Sequence, residues 1–211
     1  VRDLFERASD ALPYEDRLLE HHLGILISRY DPDKRKAHQQ LLKALSAEDY
    51  PQVTRRTRIE HIHTSIANNF VNQVRQGNIS VKEGFAEVSA HLSEAGSGSR
   101  FDAHHAHVSA KMFLELATME GGTQVEASLE AFQESLSEIE RGFQFLGATS
   151  GVNQGRDKSA EMLRGLQRTV LSSLPEQDDL ESLAAVLLER DGSLLGYEAL
   201  ARGLLSAATQ S

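Results

Sequence analysis

The sequence predicts an all-α protein of about ten helices in two packed helical bundles. Three observations support this prediction. Apolar residues recur at intervals of three and four along most of the chain, which places them on one side of successive helices. Capping boxes precede several of these segments. Stretches that alternate apolar and polar residues, as half-buried strands do, are nearly absent. An irregular stack of helical hairpins is the alternative arrangement.

Five helices are predicted in the first half of the chain. Pro13 ends the first helix, because proline cannot continue it. Asp31 is expected to cap the start of the third helix, with Pro32 in its first turn. Gly77 ends the fourth helix, and Ser80 begins a capping box for the fifth. The inward-facing positions on these helices include Leu23, Tyr30, Leu41, Ile59 and Ile66.

Five further helices are predicted in the second half. The helix from Val125 to Leu146 has the most regular spacing, because its apolar residues alternate steps of four and three. Three such steps are too few for a free coiled coil, so a buried bundle helix is favoured. The Gly- and Ser-rich stretch at residues 95–99 divides the predicted bundles, residues 1–95 and 100–211, which could also pack as one domain.

Composition narrows the classes of function. The chain has 211 residues, a net charge of −9 and no cysteine. A negative chain is unsuited to phosphate backbones, so no nucleic-acid partner is expected. Without cysteine, disulfides and thiolate metal sites are excluded. The longest apolar run, residues 23–27, is far shorter than the roughly 20 residues that span a bilayer, and the first residues lack the apolar core of a signal peptide. A cytoplasmic location is therefore expected.

Two groups of histidines are the candidates for metal chemistry. Glu60 and His63 are three residues apart, as are Asp102 and His105, and this spacing places each pair on one face of a helix. Carboxylate-bridged di-metal bundles use the same spacing, but they also need inward carboxylates from two other helices. No matching ligands flank such carboxylates here. The prediction is therefore of surface or structural histidines, with no catalytic residue and no cofactor. A helical metal-binding or small-ligand enzyme is the second interpretation.

A basic triplet, Lys34, Arg35 and Lys36, begins the third predicted helix and is expected on its exposed side. In an acidic chain, such a local reversal of sign suits oriented docking to an acidic partner protein. A merely solvated face is the competing interpretation. Protein binding needs only an exposed helical face, so a non-enzymatic interaction protein is the leading prediction. A third interpretation is an oligomeric scaffold that uses the helix from Val125 to Leu146.

Two segments carry a resemblance to a known family. Residues 31–35, Asp-Pro-Asp-Lys-Arg, open a helix that ends in Leu-Leu-Lys-Ala-Leu at residues 41–45, and residues 74–79 form a corner that leads into residues 83–86. In this order, the segments resemble the N-terminal helical region of the gatekeeper, or plug, proteins of bacterial type III secretion. The resemblance implies stacked helical bundles that bind a secretion chaperone or the export apparatus and control the order of secretion. It also implies no catalytic residues, and it admits export of the protein itself through that apparatus.

Overall fold

The computed structural model describes residues 2–11, 16–48, 58–97, 103–119, 125–148 and 154–173. The helices in these ranges are α1 Arg2–Ala11, α2 Arg17–Tyr30, α3 Lys34–Ser46, α4 Ile59–Arg75, α5 Val81–Ser97, α6 Ala103–Ala117, α7 Val125–Ala148 and α8 Gln154–Ser173. Within them no strand forms, and one isolated bridge joins Asp16 and Glu48. The all-α prediction is confirmed. Two of the five helices predicted in the second half follow Pro175 and lie outside the described residues.

The chain forms two compact units, Val1–Arg100 and Phe101–Ser211, which we call unit 1 and unit 2. In unit 1, α2 packs along α3 and α4 packs along α5, while α3 also contacts α4. Helix α1 packs against α2. In unit 2, α6 packs along α7, and α8 contacts both of them. No helix in the described parts of the chain is long and apolar enough to span a membrane.

The turn between α2 and α3 differs from the prediction. Asp33, not Asp31, caps α3, and its side chain accepts a hydrogen bond from the Arg35 amide at 3.1 Å. Asp31 ends α2, and its Oδ1 accepts a hydrogen bond from the Asp33 amide at 2.9 Å. The prediction that Asp31 caps α3 was therefore wrong, because its carboxylate closes the turn that carries Pro32.

The turn between α4 and α5 follows its local sequence. Gly77 has a φ of 71°, the left-handed conformation that glycine adopts without a steric cost. At the start of α5, the Ser80 hydroxyl accepts from the Glu83 amide at 3.2 Å, and a Glu83 carboxylate oxygen accepts from the Ser80 amide at 2.9 Å. The predicted capping box is confirmed. The hydrogen bonds that the Glu83 carboxylate accepts from the Ser80 amide and the Ser80 hydroxyl lower the pKa of Glu83.

Most predicted inward positions are buried, but two are not. Tyr30 is 68% exposed and Ile59 is 46% exposed, so both predictions were wrong. Each lies at a helix end, Tyr30 as the last residue of α2 and Ile59 as the first of α4. Helical spacing places a residue on the inner side, but a neighbouring helix must extend far enough to cover it.

Helix α7 is one of the three described helices of unit 2. Its side chains Phe132, Leu136 and Ile139 are buried, and it packs against both α6 and α8. Ser135, also buried, donates a hydrogen bond from its hydroxyl to the Ala110 carbonyl of α6 at 2.7 Å. The part of the apolar face formed by Phe132, Leu136 and Ile139 is thus covered by helices of the same chain.

Candidate functional site

The structure separates the members of the basic triplet on α3. Arg35 and Lys36 are exposed, but Lys34 is only 8% exposed. The expectation that all three lie on the exposed side was wrong for Lys34. Ala37 and Leu41, both fully buried, follow Lys34 by three and seven residues and lie on the same side of the helix. The spacing of these apolar residues is a sequence signal that could have identified Lys34 as an inward residue.

Buried Lys34 completes the end of α2. Its ammonium donates hydrogen bonds to the backbone carbonyls of Ser28 and Asp31, each at 2.7 Å. The last carbonyls of a helix have no intrahelical donor, and a cation is favoured at this negative end of the helix dipole. Lys34 therefore joins the start of α3 to the end of α2.

Lys34→Met is expected to lower the free energy of unfolding by about 1–3 kcal/mol, because two buried carbonyls lose a charged donor. Methionine keeps most of the apolar stem, so packing changes little. The neighbouring Arg35→Met is the matched control, and its effect is expected to stay within about 0.5 kcal/mol because Arg35 is exposed. Urea denaturation of both variants measures the difference. Equal effects would contradict the capping role of Lys34.

The opposite side of α3 is basic and partly apolar. Its exposed residues, which we call the α3 face, are Arg35, Lys36, Gln39, Leu42, Lys43 and Ser46. Leu42 is 43% exposed. None of the 13 residues of α3 is acidic. Lys36 Nζ lies 4.0 Å from Oδ2 of the buried Asp31, but the lysine side chain is 59% exposed, so its ammonium remains accessible to a partner.

The structure does not bring the predicted metal candidates together. His63 Nδ1 lies 2.9 Å from the Nδ1 atom of His91, so its close polar partner is an imidazole rather than the carboxylate of Glu60. His105 Nε2 lies 3.4 Å from the Ser109 hydroxyl, and Asp102 lies outside the described residues. Among the residues that are described, no group of three or more His, Asp or Glu side chains could hold a metal ion.

A group of histidines that the sequence did not suggest lies in unit 1. His38 of α3, His63 of α4 and His91 of α5 meet beside Phe70 of α4, and we call these three imidazoles the histidine cluster. The ring centroids of His63 and His91 are 5.1 Å apart. Phe70 lies 4.9 Å from His38 and 5.9 Å from His91. These residues are far apart in sequence, so only helix packing brings them together.

Burial favours the neutral form of two imidazoles in this cluster, those of His38 and His91. It lowers the pKa of His91 to about 4, with smaller contributions from His63 and His38. Burial also lowers the pKa of His38, whose Nδ1 is buried with no hydrogen-bond partner among the described residues. Glu94 opposes the shift at His91, and Glu87 opposes it at His38. Both histidines are therefore neutral at pH 7.

A histidine outside the cluster, His21, is buried between α2 and α4. His21 Nε2 is 2.8 Å from the Ser65 hydroxyl. Burial, followed by the neighbouring His22 and His61, lowers the pKa of His21 to about 4. His21 is therefore also neutral at pH 7, and it hydrogen-bonds within the fold.

Comparison with known proteins identifies no relative. No protein-family model, curated protein sequence or solved structure matches the chain. Function is therefore inferred from the chemistry of the α3 face and of the histidine cluster.

Proposed function

We propose that this protein is a non-enzymatic helical module that binds an acidic partner protein through the α3 face. The observation that carries the proposal is a local reversal of charge. Helix α3 contains four lysine and arginine residues and no acidic residue, whereas the whole chain has a net charge of −9. Three of the four, Arg35, Lys36 and Lys43, are exposed.

The α3 face combines the two contributions that protein interfaces use. Its cations attract an acidic surface over several ångströms, which accelerates and orients association. Leu42, which lies among them, offers an apolar side chain whose full burial by a partner contributes on the order of 1 kcal/mol. Tyr30, at the end of α2, is exposed and belongs to the residue types that dominate binding energy at interfaces.

The resemblance to gatekeeper proteins supports a more specific role for this binding. Residues 31–45, which carry part of the resemblance, include the start of α3 and most of the α3 face. We therefore propose that the partner is an acidic component of a bacterial type III secretion system and that binding regulates secretion. Deletion of the gene in the native bacterium should change the amount or order of exported proteins. Unchanged export would contradict the secretion role and leave the binding role standing.

The binding test begins with a photo-crosslinking amino acid at Gln39, which is exposed at the middle of the α3 face. Crosslinking in the native bacterium should capture one acidic protein, and the same amino acid at Gln144, exposed on α7, should not capture it. The captured protein is then purified and titrated. Failure to crosslink any acidic protein from Gln39 would contradict the proposal.

We expect a triple variant to bind the captured protein at least about tenfold more weakly. In this variant, Glu replaces Arg35, Lys36 and Lys43. The melting temperature should change little, because exposed charges contribute little to folding. The matched control reverses three exposed basic residues of α8 with the same total change of charge. These residues are Lys158, Arg164 and Arg168. Equal loss of binding in both triple variants would show that total charge, and not the α3 face, controls association.

Salt provides an independent check on the same complex. Raising the salt concentration from about 0.05 M to 0.5 M shortens the Debye length below the roughly 10 Å that holds at 0.1 M. The parent complex is therefore expected to weaken, and the triple variant on α3 should respond less. Isothermal titration at the two salt concentrations measures both. A parent affinity that does not change with salt would contradict electrostatic docking.

A further inference from the structure

We propose that the histidine cluster is an acid-sensitive clasp, which holds α5 against α4 while its imidazoles are neutral and releases α5 when they are protonated. Each helix contributes one imidazole: His38 from α3, His63 from α4 and His91 from α5. The proposal is independent of binding at the α3 face, because it concerns contacts between helices and not the exposed residues of α3. It rests on the contact between His63 and His91 and on the position of His38 across Phe70.

The contact between His63 and His91 depends on protonation. Their Nδ1 atoms are 2.9 Å apart, a hydrogen-bond distance, so one must carry a proton and the other must accept it with a lone pair. A single proton taken from water leaves this hydrogen bond in place, because the remaining neutral ring still accepts, but burial already disfavours the charge at His91. After a second protonation, both Nδ1 atoms carry hydrogen and neither can accept. The hydrogen bond is then replaced by the repulsion of two cations.

Other groups around the cluster shift the pKa values of His38 and His91, some upwards and some downwards. From α3, His38 adds a third imidazole, which becomes a further positive charge in acid. From α5, Glu94 faces His91 and Glu87 faces His38, and both carboxylates favour protonation of these histidines. Burial outweighs them, because the largest cause at each of the two histidines is desolvation, and it lowers the pKa. The packed state therefore disfavours the charged forms of His38 and His91.

The direction of the pH dependence follows from linkage. The pKa of His91 is about 4 in the packed state and ordinarily 6.5, so the released state binds more protons between these values. The clasp is complete above about pH 6.5 and weakens as the pH falls towards 4. For His91 alone, the upper limit at pH 4.5 is a change of about 80-fold in the packing equilibrium. Because water partly screens this imidazole, we expect about tenfold.

The absence of cysteine from the sequence permits site-specific labelling. Asn68→Cys on α4 and Ala90→Cys on α5, both at exposed positions, carry nitroxide labels in the full chain. Pulsed electron spin resonance should show a single short distance at pH 7.5. At pH 4.5 the population with a longer distance should rise about tenfold, while circular dichroism retains the helical signal. An unchanged distance, or loss of helix in the same step, would overturn the clasp.

Two variants in the labelled protein separate the cluster from other histidines. In His63→Gln with His91→Gln, neutral amides replace the titrating rings, and the longer-distance population should rise less than about twofold. The matched control, His22→Gln with His104→Gln, removes two exposed histidines. Its longer-distance population should rise at pH 4.5 as much as that of the parent. Opening of the cluster variant to the same extent as the parent would overturn the proposal, and it would direct attention to His21 instead.

If the cluster variant does not fold, the histidine ring signals of the parent protein still test the proposal. Nuclear magnetic resonance should show the His91 ring titrating in the same pH interval as the change of distance. A change of distance more than about one pH unit away from the titration of His91 would overturn the clasp, even without any variant.

Discussion

Leu136→Asp is expected to lower the free energy of unfolding of unit 2 by more than about 4 kcal/mol. Leu136 lies near the middle of α7 and is 0% exposed. Its neighbours on the same side of the helix, Phe132 and Ile139, are also buried, and α6 and α8 cover this side. An aspartate here loses its hydration without gaining a cation, and the missing leucine volume leaves a cavity.

Urea denaturation followed by circular dichroism measures this loss. Gln144→Asp is the control, because it places the same side chain at an exposed position of α7. The control is expected to change the free energy of unfolding by no more than about 0.5 kcal/mol. A loss of less than about 1 kcal/mol in Leu136→Asp would mean that water reaches this side of α7, which would favour the scaffolding interpretation.

Gly142→Leu is expected to destabilise unit 2 by about 3 kcal/mol, because α6 and α8 approach α7 closely at this glycine. A Cβ atom at position 142 would lie 3.0 Å from Ala106 Cβ and 2.8 Å from Leu163 Cδ1. The Leu163 side chain could turn aside, but Ala106 Cβ is attached directly to the backbone of α6. The larger leucine side chain therefore forces the helices apart.

The same substitution at Gly165 should act in the opposite direction. A Cβ atom at position 165 of α8 meets no atom within 4 Å, and the residue is exposed. Gly165→Leu is expected to raise the free energy of unfolding by about 0.5–1 kcal/mol, because leucine restricts the unfolded chain and favours the helix. Thermal and urea denaturation of the two variants test this difference of sign. Destabilisation by both would indicate that helix packing at Gly142 is not the cause.

Local chemistry explains which features could be predicted from the sequence. The start of α5 depends on Ser80 and Glu83, three residues apart, and their reciprocal hydrogen bonds need no other part of the chain. The inward position of Lys34 could have been predicted too, since Ala37 and Leu41 share its side of α3. The cap of α3 was harder to predict, because Asp31 and Asp33 both offer a carboxylate next to Pro32.

The sequence by itself determined that this protein is helical, where several of its helices begin and end, and that it is acidic with a basic α3. These properties follow from hydrogen bonds, side-chain spacing and charge within a few residues of one another. Only the tertiary structure decided which side chains α3 leaves exposed and that His38, His63 and His91 meet beside Phe70. The reason is that the cluster joins three separate helices, so its formation depends on how α3, α4 and α5 pack and on no pattern within any one of them.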